Sequence, residues 1–316
     1  MRVAFFLILS YNPNIKVILR KVGETLLTKE QFAKFLQNGP VLLDGATGSN
    51  LMKAGMPRGC CTEQWVLEHP QALAALQRAY AQAGSKILYA PTFQAQPIAL
   101  QRVGLEKETE KVNEQLALLS RSVSPDVLVA GDLTTLAVYC DSFDPANFDL
   151  LVDNYRRQIK GLIAGGVDLL VGETLMYPLE AEAIFTAAEL EGAPCCMFSF
   201  TMQPDGSLFS GMDGIAVLKE LEDVGACAVG FNCVAADSFT AGLVAKMRRK
   251  LKGPILCKPN AGVPTIGEDN LPHYPMAPEE FAAIMADCQA MGAALLGGCC
   301  GTDPAFIQAL SPIKER

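Results

Sequence analysis

The sequence predicts a single (β/α)8 barrel, the TIM-barrel architecture, with an N-terminal extension. Three observations predict it. Eight short, nearly continuous apolar runs recur along the 316 residues, typically closing on Gly, Asn, Thr or Cys. Helical patterns lie between them, and no Pro/Gly/Ser-rich linker divides the chain. Apolar runs without polar alternation mark parallel strands covered on both faces, and eight strand–helix repeats are what a closed barrel needs. A doubly wound open sheet is the alternative arrangement of the same elements. The division expected is 1–38 as an extension with a short helix and 39–316 as the barrel.

The elements follow in order. Thr28-Lys29-Glu30-Gln31 has capping-box spacing and predicts a short helix before the first strand. Val41–Gly45 is the first strand. Pro70–Ala83 carries Leu73, Leu76, Ala79 and Tyr80 near a 3.6-residue period, with Gly84 as its stop. Lys86–Thr92 and Val127–Leu133 are strands two and three. Helix Asn147–Ala164 leads to strand four, Val167–Thr174, and helix Pro178–Leu190 to strand five, Cys195–Thr201. Helix Ile215–Val224 precedes strand six, Ala226–Cys233. Pro254–Gly262, helix Pro278–Met291 and Ala293–Gly301 complete the set.

Half the residues are hydrophobic and 19% are charged, which fits a large core and excludes a disordered chain. A net charge of −8 without a basic block argues against nucleic-acid binding. Eleven cysteines, an odd number, in no disulfide-framework spacing, point to a reducing cytoplasm with free or metal-bound thiols. Val3–Leu9 behind Arg2 is too short to span a bilayer and lacks a small-residue cleavage site. It reads as an extra element packed on the barrel, or as a consequence of the chosen start site. No membrane partner is expected.

A barrel places its chemistry at the C-terminal ends of its strands. Those ends read Asp44, Thr92-Phe93, Asp132, Glu173, Thr201, Asn232-Cys233, Asn260 and Cys299-Cys300. Strands six and eight are near neighbours on the rim, so Cys233, Cys299 and Cys300 converge there. Three cysteine ligands with one open position describe a catalytic zinc site, which lowers the pKa of an incoming thiol. Free cysteine is also among the most buried residue types. On spacing alone the metal site and simple packing stand level. The other eight cysteines, among them Cys60, Cys61, Cys140 and Cys288, are expected to ligate nothing.

At these residues the chain resembles the homocysteine S-methyltransferase family. Asp44-Gly45-Ala46-Thr47-Gly48-Ser49 resembles the family's DGAxGT motif. Gly230-Phe231-Asn232-Cys233 and Gly297-Gly298-Cys299-Cys300-Gly301 resemble its two zinc-ligand motifs. Pro259-Asn260-Ala261-Gly262, Tyr274-Pro275 and Pro278-Glu279-Glu280-Phe281 look most like the homocysteine-binding barrel of cobalamin-dependent methionine synthase. The likeness runs from about residue 40 to about residue 305, in order. It implies Zn2+ on Cys233, Cys299 and Cys300 with the homocysteine sulfur as fourth ligand. It further implies that Asp44 and Glu173 receive the substrate's amino group, and that Asn260 or water fills the fourth position beforehand. Thr92 joins the substrate-binding set as part of the strand-two motif.

Two departures matter. The family's NTFG motif stands here as Pro91-Thr92-Phe93-Gln94, and DGAxGT ends in Ser49. Neither His69 nor His273 has the Asp-x-His-x-x-Gly setting of a corrinoid loop, and no dinucleotide or Walker motif is present. The donor is therefore expected to be a small molecule or a methylated group on another protein, and the resemblance to the methionine synthase barrel implies methylcobalamin on a separate corrinoid protein. S-methylmethionine or betaine is the second possibility, with Phe93, Tyr139 and Tyr177 as candidates for holding a cationic donor. A non-catalytic zinc-binding barrel is the third.

Overall fold

The structure, a computed structural model, describes residues 26–267 and 272–311. The eight expected strands form at β1 (Val41–Leu42), β2 (Ile87–Tyr89), β3 (Leu128–Thr134) and β4 (Leu169–Leu175), then β5 (Cys196–Phe200), β6 (Ala228–Ala235), β7 (Ile255–Asn260) and β8 (Ala293–Leu296). They pair in the order β1-β8-β7-β6-β5-β4-β3-β2, every pair parallel. A parallel bridge between Leu43 and Ile87 joins the two ends, supported by the Lys86 N–H donating to the Leu42 carbonyl at 2.7 Å. An open sheet would leave two free edges, so this closure decides for the barrel.

Inward and outward side chains alternate along each strand, as a two-residue period requires. Leu169 and Val171 fill the bore, whereas Leu170 joins the layer between the strands and the outer helices. Both environments are apolar. That is why the strands read as continuous hydrophobic runs. Bulky inward residues such as Leu43, Ile87, Met197 and Leu256 make the bore a packed core rather than a channel.

Helix Lys29–Phe35 carries the expected capping box: the Gln31 N–H donates to Thr28 Oγ1, and the Thr28 N–H donates to Gln31 Oε1. Its Phe32 is buried against the lower bore, so this helix closes the barrel floor. Val3–Leu9 lies outside the described residues. Pro70–Ala83 ends at Gly84 as expected, and Pro178–Leu190 matches its expected bounds. Helices at Gly48–Lys53, Thr62–Glu68, Thr109–Arg121, Thr240–Arg248 and Pro304–Ala309 go beyond the sequence reading. Most are too short to show a period. Thr109–Arg121 does show one, burying Val112, Leu116 and Ala117.

Several strand ends fall short of expectation: β1 ends at Leu42 rather than Gly45, β2 at Tyr89 rather than Thr92, and β8 at Leu296 rather than Gly301. The eighth strand is regular to Leu296, the Gly297 N–H still donates to the Cys257 carbonyl at 3.0 Å, and the chain turns at Cys300. The Gly298 N–H reaches back to the Asp44 carbonyl at 3.1 Å, and the Cys299 N–H donates to the Pro259 carbonyl at 2.7 Å. These bonds carry the two-residue spacing of the ladder to β7 and β1 as far as Cys299. Among the described residues, no helix is long and apolar enough to cross a membrane.

Candidate active site

The turn after β8 and the end of β6 bring three thiols together. The Sγ atoms of Cys233, Cys299 and Cys300 all lie within 4.8 Å of one another. Two backbone devices set this up. Cys233 adopts φ 56°, a left-handed conformation uncommon outside glycine, which turns its side chain away from the regular strand direction. Gly301 at φ 83° lets the chain leave Cys300 sharply. A Cβ there would lie 2.3 Å from the Tyr274 ring, so the position accepts only glycine.

Asn232 and Asn260 fix the thiols from either side. Asn232 is fully buried, and its Nδ2 donates to Thr174 Oγ1 at 2.6 Å and to Cys299 Sγ at 3.8 Å. Its Oδ1 accepts from the Thr174 N–H at 2.9 Å, holding Thr174 at φ 57°. Asn260 Oδ1 accepts from the Cys300 N–H at 3.0 Å, and the Cys300 carbonyl accepts from the Ala261 N–H. In this arrangement Asn260 holds the thiol turn against β7.

The thiols compete for protons. Cys300 is pushed down to about 3 because Cys233, then Cys299, hydrogen-bonds to its thiolate, with the Tyr274 hydroxyl adding a further bond. Cys233 is pushed up by the same contacts, since the proton it shares with Cys299 and Cys300 is hard to remove. A cluster that gives up one proton and resists losing the next is suited to a divalent cation, which replaces the protons and satisfies all three sulfurs. The donor set, three soft thiolates, fits Zn2+.

Below the thiols lies a charged layer. Asp44 is 1% exposed, and its Oδ2 accepts from the Tyr89 N–H at 2.7 Å. Lys258, on the inward face of β7, places Nζ 2.9 Å from Glu173 Oε1, 3.6 Å from Asp44 Oδ1 and 4.6 Å above the Tyr89 ring. Burial pushes Asp44 up to about 6, against the pull of the Lys258 ammonium. Burial likewise raises Glu173. Asp132 is raised well above its usual range by burial and then by Glu173. Burial opposes the Lys258 charge, but Glu173 and Asp44 together outweigh it and hold its pKa well above normal. Four buried atoms in this layer, Asp44 Oδ1, Tyr89 Oη, Asp132 Oδ1 and Ser199 Oγ, have no hydrogen-bond partner.

The structure thus gathers Cys233, Cys299, Cys300, Asp44, Glu173 and Asn260 around the mouth of the bore. It does not bring Thr92 there. The Thr92 side chain is fully buried, its hydroxyl donates to the Asp132 carbonyl at 2.9 Å and accepts the Asp132 N–H at 3.2 Å. It joins β2 to β3. Sequence reasoning placed Asn232 at a strand end without giving it a role, and passed over Lys258. A lysine within the apolar run Ile255-Leu256-Cys257-Lys258 was the available signal, two residues before Asn260 and therefore on the same strand face. The remaining cysteines lie elsewhere, and the three rim thiols are the only metal-competent group among the described residues.

Fold and site together define a (β/α)8 barrel with a three-thiol centre set over buried carboxylates. A homocysteine S-methyltransferase family model matches residues 41–313, and the chain belongs to that family. Methionine synthase of Mycobacterium tuberculosis (strain ATCC 25618 / H37Rv) is 26% identical over 284 residues, covering 84% of this chain and 24% of that protein. The chain therefore spans about a quarter of the length of this relative. The metallated form of the homocysteine methyltransferase MmuM from Escherichia coli superposes with a TM-score of 0.76 at 25% identity, covering 89% of this chain and 98% of that one. The carboxyl transferase domain of Rhizobium etli pyruvate carboxylase, at 16% identity and a TM-score of 0.54, shares the fold alone.

Proposed function

We propose that this protein transfers a methyl group to the sulfur of homocysteine, forming methionine, with Zn2+ held by Cys233, Cys299 and Cys300. The observation that carries this reading is the cluster of three sulfurs, all within 4.8 Å of one another, directly over buried carboxylates. Zn2+ in such a site acts as a Lewis acid that keeps the substrate thiol ionised at neutral pH. The chain's own residues supply the rest. Asn232 and Asn260 orient the thiol ligands. Asp44 and Glu173 receive the substrate ammonium, fixing the homocysteine sulfur toward the rim, where its lone pair faces the incoming methyl carbon. The low-dielectric bore strengthens these contacts and limits competing water.

The donor we favour is methylcobalamin carried by a separate corrinoid protein that approaches the rim. The likeness to methionine synthase supports this choice. The methyl leaves as a cation equivalent, the substrate sulfur provides the electron pair, and the donor keeps the bonding pair it held.

Elemental analysis with X-ray absorption at the zinc edge tests the acceptor half. The expected result is about one zinc per chain with three sulfur neighbours, rising to four when homocysteine is added. No zinc, or no added sulfur, refutes it. Methyl transfer assays with a methylated corrinoid, S-methylmethionine and betaine then test the donor. Activity with either onium donor and none with a corrinoid overturns the corrinoid reading.

A further inference from the structure

Lys258 stands where a substrate amine needs to be. An ammonium that bridges Asp44 and Glu173 occupies the space between those carboxylates. Lys258 Nζ already lies there, 2.9 Å from Glu173 Oε1 and 3.6 Å from Asp44 Oδ1. Two cations in contact within a buried site repel strongly, so both cannot hold the position. Lysine is, however, a point charge on a flexible stem, able to redirect its head without moving the backbone.

A second seat for that head is offered by neighbouring side chains of the same layer. Asp132 Oδ1, Tyr89 Oη and Ser199 Oγ are buried and unpartnered, a condition native interiors seldom tolerate without a role for the atoms involved. Asp132 and Ser199 face the bore on β3 and β5, two residues after the inward-facing Ala130 and Met197. Asp132 pairs with Val171, two residues before Glu173 on β4. Ser199 pairs with Gly230, which pairs with Leu256, two residues before Lys258 on β7. Lys258 Nζ already rests 4.6 Å above the ring that ends in Tyr89 Oη. Three open oxygens facing the same bore as a single lysine form an alternative ammonium site.

Resting on the homocysteine reading above, we propose that Lys258 is a resident occupant of the substrate-amine position. It withdraws to Asp132, Tyr89 and Ser199 when the ammonium of the acceptor binds between Asp44 and Glu173. Charge balance favours this exchange. Three carboxyl groups, Asp44, Asp132 and Glu173, surround one lysine in the empty site, and the arriving ammonium adds the second positive charge. Lys258 and Asp132 are thus positioning residues that select acceptors by their amine. A thiol without an ammonium has no means of displacing the lysine.

The test uses zinc-loaded full-length protein and calorimetric titration with L-homocysteine and with 4-mercaptobutyrate, its counterpart without the amine. Asp132→Asn is expected to weaken homocysteine binding about tenfold, the worth of one charge-assisted hydrogen bond, and to leave 4-mercaptobutyrate unchanged. In turnover assays the same change raises KM and spares kcat. Lys258→Met is expected to bind homocysteine at least as tightly as the unmodified protein. In that background Asp132→Asn should have lost its effect. Tyr89→Phe, a gentler change at the same seat, is expected to act like Asp132→Asn to a smaller degree, which guards against misfolding of the aspartate variant. Tenfold weaker binding of both thiols to Lys258→Met would overturn the proposal, since the lysine would then hold the substrate carboxylate. Equal effects of Asp132→Asn with and without Lys258 would also overturn it. Failure of the unmodified protein to bind homocysteine refutes the functional reading itself, and this inference with it.

Discussion

Asn232→Ala removes the one side chain that joins the end of β4, the end of β6 and the thiol turn. Two hydrogen bonds to Thr174 are lost, the N–H to Oδ1 at 2.9 Å and Nδ2 to Oγ1 at 2.6 Å, with the weaker Nδ2 contact to Cys299 Sγ at 3.8 Å. Each Thr174 bond is worth about 1 kcal/mol, and stranding a half-buried N–H adds a further fraction, so the expected loss is about 2.5 kcal/mol. Unfolding entropy near 2.1 cal/mol/K per residue, taken over 316 residues, gives roughly 0.7 kcal/mol/K. The melting temperature should therefore fall by about 4 °C in differential scanning calorimetry. Thr174 then keeps its φ of 57° without the hydrogen bonds that held it there. Adding Thr174→Gly to the variant should return about 1 kcal/mol, because glycine holds that conformation without strain. Zinc affinity, read by competition with a colorimetric chelator, should fall by about 10- to 100-fold, as when ligand-orienting partners are removed elsewhere. A melting point within about 1 °C of the parent, together with unaltered zinc affinity, would refute the claim that Asn232 preorganises the site.

Alanine at Cys233, Cys299 or Cys300 should abolish both zinc retention and methyl transfer, whereas Cys288→Ala, in a buried helix position, should leave both intact; retained zinc in all three rim variants counts against the assignment. Asp44 gives a pH dependence of opposite sign for stability and binding. Its pKa rises from 3.8 to about 6 on folding, so the native state holds a proton the unfolded chain lacks between those values. Its penalty on stability is full above about 6 and is relieved as pH falls toward 3.8. Homocysteine affinity should instead weaken about tenfold per pH unit below the Asp44 pKa, and calorimetry across this window checks both slopes. Gly230→Ala places a Cβ 1.9 Å from the Leu256 carbonyl on the neighbouring strand. It should cost about 3 kcal/mol or more, seen as loss of soluble folded protein, and a normally folded variant would contradict the close β6–β7 approach.

How much of this was legible in the sequence depends on which contacts are local. The strands were legible because burial on both faces leaves a continuous apolar run, as in Leu169-Leu170-Val171. The three thiols were legible as strand-end residues once the barrel was inferred, because closure brings β6 and β8 to one rim. The bounds of the eighth strand were not. Nothing local in Gly297–Cys300 states that Pro259 and Asp44 will hold it by backbone hydrogen bonds until it turns at Cys300. Thr92 misled for a related reason: a polar residue at a strand end reads as rim chemistry, but its hydroxyl is consumed by the backbone of the adjacent strand. Lys258 had a signal in the odd placement of a charge within an apolar run. Its partners lie 85 and 214 positions away by number, which no local pattern encodes.

The bore is layered, and the layers depend on one another. Apolar residues and the Phe32 plug make its floor, paired charges its middle and thiols its mouth. Burial alone would drive Asp44, Glu173 and Asp132 toward their neutral forms. Lys258 resists this for all three, and its own charge is sustained by Glu173, Asp44 and then Cys299. The lysine therefore links the middle layer to the mouth. On the proposed function, carboxylates that grip an amine beneath sulfurs that give up protons need a cation between them. A surface lysine would be screened by water and do little for either group. At 3% exposure Lys258 acts on both at close range, which is why a residue so costly to bury sits at the centre of this site.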